Sequence, residues 1–138
     1  MLDAKQLIAN FDAFYKTGVS QMDRVHEEFL HLLVTAANSA EESFHHHMAV
    51  LFEHCQLHFF EEEASMAAFQ APEYDHHCRE HKAILEVMQG HCDGAAEGRI
   101  EHARQWLKQD FIRWFDQHTR SWDSLAAEHV KGRESQSA

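Results

Sequence analysis

Helix breakers are scarce in this chain, and they are gathered into a few places. Its 138 residues include one proline, Pro72, and five glycines, and the stretches between them are mostly strong helix formers. No window has the alternating β-branched and aromatic pattern of strands, so the spacing predicts an all-α chain. Breaks fall at Thr17-Gly18, near Asn38-Ser39, around Gln70-Ala71-Pro72 and from Gly90 to Gly98. They separate an N-terminal arm over 1–17, helical segments near 20–38, 42–69, 73–90 and 98–129, and a polar tail over 131–138. Short connections between four long helices favour an up-down-up-down antiparallel four-helix bundle, here over 18–130.

A chain of this length buries enough surface for a core without disulfide or metal staples. With 12 basic against 23 acidic residues the formal charge is −11, which disfavours nucleic acid and anionic membrane surfaces as partners. No apolar run approaches the roughly 20 residues of a membrane span. The start of the sequence, MLDAKQLIANFDAFYK, has no apolar signal segment, so a cytoplasmic location is the expectation. Three cysteines (Cys55, Cys78 and Cys92), without a CxxC pair, argue against a disulfide framework or a zinc ribbon. The compositional anomaly is histidine, with 14 copies.

A helix turns about 100° per residue, so each segment can be projected onto its faces. The first segment aligns Met22, His26, Phe29, Leu30, Leu33 and Ala37. The second aligns Phe44, Met48, Leu51, Cys55, His58 and Glu62; the third His77, His81, Ile84 and Met88. The fourth aligns Ile100, Leu107, Phe111, Trp114, His118, Trp122 and Leu125. Each apolar stripe therefore carries a histidine where a bundle normally places an aliphatic residue. Glu62 lies near the middle of its stripe, whereas Glu63 points about 100° away. A carboxylate in such a position is costly unless paired or bound to a metal, and no lysine or arginine lies on the inner stripes.

At this histidine content about one or two HxxxH pairs arise by chance, and His54 with His58 forms one outside the pattern. The His45-His46-His47 run fans around its helix and makes no inward cluster. Cys55 reads as a small buried apolar residue. The joint arrangement is what carries weight: His26, then HFFEE from His58 to Glu62, then HCREH from His77 to His81, then HTRSWD from His118 to Asp123.

These stretches resemble the bacterial branch of the hemerythrin family. That family has a lone histidine on the first helix, HFxxEExxM on the second, PxxxxHxxxH opening the third and HxxxxD on the fourth. The matching stretches are TGVSQMDRVHEEF around His26, HFFEEEASM from His58, PEYDHHCREH from Pro72 and WFDQHTRSWD from Trp114. The resemblance runs from about Gly18 to Glu128. It implies two non-haem irons with an oxo or hydroxo bridge, one iron held by His77, His81 and His118 and the other by His26 and His58. Glu62 and Asp123 would bridge them, and dioxygen would bind at an open position on the two-histidine iron. Phe29, Phe59, Trp114, Phe115 and Thr119 would line the oxygen pocket. The family commonly has an aliphatic residue at the position of Thr119, so a hydroxyl there is a departure.

Asp123 follows His118 by five residues, which an ideal α-helix would turn about 140° away. The spacing predicts a wide, π-type turn between them. The resemblance implies a dioxygen-binding module, a carrier, store or sensor, and not an enzyme. Nothing beside the metal residues looks like a general base or a nucleophile. In one alternative the chain is the input domain of a longer signalling protein, acting on a downstream domain or partner. In another it is a ferritin-like di-iron oxidase or iron store, a class built on ExxH motifs. Such motifs occur as Glu28/His31, Glu42/His45 and Glu73/His76, away from the inward set.

Overall fold

The computed structural model describes residues 4–68, 70–123, 127–128 and 131, without the side chains of Ala4, Ala13, Phe14, Gln21, Trp122 and Asp123. The expected inner positions Trp122 and Leu125, and the tail beyond Lys131, therefore lie outside it. The described residues are all-α, with helix after helix and no strand among them. The arm comprises α1 (Ala4–Ala9) and α2 (Phe11–Phe14). Three long helices follow: α3 (Ser20–Ala37), α4 (Glu41–Ala68) and α5 (Tyr74–Ala96). The last rod is made of α6 (Ile100–Gln105), a π-helical stretch (Trp106–Phe111), α7 (Ile112–His118) and a second π-helical stretch (Thr119–Asp123).

The connections are closed by local chemistry. At Thr17-Gly18 the backbone N–H of Thr17 and its hydroxyl both donate to Asp23 Oδ1 at 2.7 Å, which anchors the arm to the first turn of α3. Gly18 itself takes φ +87°, a conformation only glycine adopts readily. The α5 terminus is a Schellman motif: Arg99 N–H donates to Gly94 O at 2.8 Å and Gly98 N–H to Ala95 O at 3.0 Å, with Gly98 at φ +96°. The α4 terminus repeats the bonding through Ala71 N–H to Met66 O at 2.9 Å, with Gln70 in the left-handed position, and Pro72 follows. At the far end of α3, Arg104 reaches across to the Ala37 carbonyl at 2.7 Å.

The expected break from Gly90 is corrected, because α5 continues to Ala96. A glycine within a helix costs about 1 kcal/mol. One more turn and a half buries Cys92 and Ala95 against the core, which offsets that cost. Only Gly98 ends the helix.

Successive helices reverse direction, so the starts of α3 and α5 lie level with the ends of α4 and of the last rod. His26, His58, Glu62, His77, His81 and His118 are consequently gathered at one end. The other end is filled by an apolar core that includes Leu33, Phe44, Met48, Leu51, Met88 and Leu107. The arm joins this core through Leu7, Phe11 and Tyr15. No helix among the described residues is long and apolar enough to cross a membrane.

Candidate metal centre

Glu62 stands at the middle of the buried polar end, its side chain 3% exposed. Its two oxygens face different ways. Oε1 lies 2.6 Å from His77 Nε2 and 3.3 Å from His81 Nε2. Oε2 lies 3.3 Å from His58 Nε2 and 3.9 Å from His26 Nε2. His118 completes the first group, with its ring centroid 4.6 Å from that of His77 and 5.1 Å from that of His81. In each of the two groups, Glu62-His77-His81-His118 and His26-His58-Glu62, one donor atom per residue lies within 4.8 Å of all the others.

Each helix supplies its donors through its own periodicity. His58 and Glu62, like His77 and His81, are four residues apart and project from one face. No lysine or arginine occurs among the described buried polar side chains. A carboxylate taken out of water without a cation costs several kcal/mol. Imidazole nitrogens and carboxylate oxygens in two adjoining groups are the donor set of a paired transition-metal site, and cations there would repay that cost. The residues present thus fit two metal ions sharing Glu62.

Two curated bacteriohemerythrins are similar to the chain. The Aquifex aeolicus protein is 30% identical over 120 residues, spanning 83% of this chain and 92% of that protein. The Ralstonia nicotianae protein is 30% identical over 108 residues, 78% of each. The chain belongs to the bacteriohemerythrin family. No protein-family profile matches it, and no solved structure does.

Of the seven ligands that the hemerythrin resemblance implies, six side chains converge here. The seventh, Asp123, has its side chain outside the described residues. Its backbone ends the π-helical stretch Thr119–Asp123, the wide turn that the five-residue spacing predicts. The ExxH residues do not enter the cluster. Glu28, His31, Glu42 and His45 are exposed and Glu73 and His76 are half-buried, so the described residues assemble no ferritin-like ligand set.

The residues expected to form the oxygen pocket do line one cavity. Phe29, Phe59, Trp114, Phe115 and Thr119 enclose it together with His26, His58 and His118. It is small, about 10 Å³ by the measure on which one water needs about 10–15 Å³. Phe115 forms the wall nearest the arm, stacked on Phe29 at 4.9 Å and packed on Tyr15 at 5.6 Å. Tyr15 donates its hydroxyl proton to Asp116 Oδ1. Burial, reinforced by that bond, holds the phenol above its ordinary pKa.

Two carboxylates near the cluster escaped the projection. His81 Nδ1 donates to Glu63 Oε2 at 3.1 Å, and His118 Nδ1 donates to Glu80 Oε2 at 2.6 Å. Both glutamates sit beside a ligand candidate in sequence, Glu63 after Glu62 and Glu80 before His81. Adjacency alone does not say which neighbouring helix a side chain reaches. Cys78 lies beside Glu63, and its thiol is pushed up to about 11, chiefly by burial.

Proposed function

We infer that the chain binds dioxygen reversibly at a pair of non-haem irons. His77, His81 and His118 would hold one iron and His26 and His58 the other, with Glu62 and Asp123 as bridges. The observation that carries this reading is Glu62, a buried carboxylate with each oxygen turned toward a different imidazole group. When bound, two ferrous ions would supply the electrons and the open coordination position that dioxygen requires.

The chain's own part is to hold and to exclude. Imidazole and carboxylate donors accommodate both ferrous and ferric iron, so one protein scaffold suits either state. Two carboxylates reduce the net charge of the buried cations, which favours keeping them in a dry end of the bundle. Phe29, Phe59, Trp114 and Phe115 present carbon to the cavity beside His26 and His58, which keeps bulk water from that side of the site. A space of about 10 Å³ leaves no room for an organic substrate, which favours a binding module over an enzyme. A carrier, a store and the input module of a signalling protein share this chemistry.

The test is optical. The protein is loaded with ferrous iron, exposed to air and then flushed with argon while the visible spectrum is followed. The reading predicts an absorption band that forms with air and disappears under argon through repeated cycles. Irreversible oxidation in the first cycle, or consumption of an added reductant, would replace it with oxidase or iron-storage chemistry.

A further inference from the structure

Two imidazoles of the three-histidine group are held on two sides at once. The His81 ring lies flat on Phe59, centroids 3.9 Å apart and planes 3° apart, while its Nδ1 is bonded to Glu63 at 3.1 Å. His118 repeats the arrangement, with its ring on Trp114 at 4.5 Å and 11° and its Nδ1 bonded to Glu80 at 2.6 Å. A flat stack resists tilting of the ring. A carboxylate on Nδ1 resists its flipping and keeps the proton on that nitrogen, so the lone pair is on Nε2, which faces the cluster.

In neither case does the carboxylate share a helix with its histidine. Glu63 on α4 braces His81 on α5, and Glu80 on α5 braces His118 on α7. The braces therefore link three helices around the three-imidazole group. Both glutamate side chains are partly open to water, 28% and 29% exposed, so hydration supports their charge while the imidazoles stay buried.

We propose that Glu63 and Glu80 are positioning residues that preset the three-imidazole group in the metal-free protein, making it the first of the two groups to take a divalent transition metal. This rests on the metal-centre reading above. Three imidazoles, two of them preset, together with Glu62 Oε1 offer more donors than the two imidazoles on the Oε2 side. Carboxylates that orient ligating histidines typically change metal affinity about 10–100-fold when removed.

The experiment uses metal-free full-length chain and cobalt(II). Long-range proton–nitrogen NMR reads the histidine tautomers before metal is added, and optical isotherms then read the two cobalt affinities. In the wild type His81 and His118 carry their proton on Nδ1. Glu80→Ala shifts His118 toward the other tautomer and weakens the first cobalt site about 10–100-fold. Glu80→Gln, whose amide oxygen can still accept from Nδ1–H, recovers the tautomer and most of the affinity. Exposed Glu86 on the same helix serves as control, and Glu86→Ala behaves as wild type. Melting of each metal-free variant is recorded; if Glu80→Ala does not fold, Glu63→Ala and its effect on His81 replace it. Unchanged tautomer and affinity in Glu80→Ala overturn the proposal, as does an equal loss in the glutamine and alanine variants. Failure of the metal reading looks different: the wild type itself takes up no cobalt.

Discussion

Truncating Phe115 to alanine probes the arm, the core and the cavity beside His26 and His58 through one ring. The side chain is 3% exposed, and removing a buried phenylalanine costs about 3–5 kcal/mol. It also contacts Phe29, Tyr15 and His26, at centroid distances of 4.9, 5.6 and 5.9 Å. Aromatic pairs are worth about 0.5–1.5 kcal/mol each beyond their area, which places the expected cost in the upper half of that range. For a chain of this size that corresponds to a fall in melting temperature of about 12–20 °C. The void opens directly onto a cavity that now holds about 10 Å³, so water gains access beside His26 and His58. The oxygenated protein should then decay faster, on the order of tenfold, equivalent to a barrier lowered by about 1.4 kcal/mol. Urea unfolding of metal-free protein measures the first effect, and the decay of the visible band under air measures the second. Phe115→Leu, which keeps the wall largely filled, should show less of both. A stability loss below about 1.5 kcal/mol would refute the packing argument. A wild-type decay rate in a destabilised Phe115→Ala would refute the role of the wall in keeping water out.

Thr119 brings a buried hydroxyl to the cavity where the family commonly has an aliphatic side chain; Thr119→Ile should lengthen the lifetime of the oxygenated form, and an unchanged or shorter lifetime counts against this. Gly90 sits within α5 with nothing within 4 Å of where a Cβ would lie, so Gly90→Ala should stabilise the protein by about 0.5–1 kcal/mol; destabilisation in urea would contradict the description of α5 as continuous. Burial raises the Cys92 thiol from an ordinary 9.0 to about 11, and the fully buried Cys55 further. A raised thiol means the folded chain holds that proton more tightly than the unfolded chain. Its stabilisation is complete below about pH 9 and lost as pH rises through 11. Urea midpoints should therefore fall between pH 8 and pH 10.5, and the fall should shrink when both cysteines are alanine; an equal fall in that variant would assign the alkaline loss elsewhere.

How far the sequence carried the fold differs from helix to helix. In α4 the projection named Phe44, Met48, Leu51, Cys55, His58 and Glu62 as inward, and all six are buried, because a regular helix keeps its 3.6-residue period over 28 residues. The last rod departs from its projection, because two of its stretches are π-helical. Trp106 and Ile112 are buried, yet an ideal helix does not align them with Leu107 and Phe111. The stretch Trp106–Phe111 is π-helical, and residues five apart come to one side: Trp106 and Phe111 stack at 4.8 Å. Nothing in the local residues signals that first wide turn. The second was legible only because a histidine and an aspartate five apart had reason to share a face. The arm's seat on the core through Leu7, Phe11 and Tyr15 depends on long-range packing that periodicity does not report. The candidate ligands were readable because i,i+4 spacing fixes which side chains share a face. The braces from Glu63 and Glu80 were not, since both cross between helices.

The most direct test of the central claim is a metal count on the protein and on a variant lacking the shared carboxylate. Wild-type chain reconstituted with ferrous iron under argon and freed of excess metal should hold two irons, and Glu62→Ala, folded by circular dichroism, should hold at most one. Wild-type protein without stoichiometric iron, or a Glu62→Ala variant that keeps both, would contradict the account.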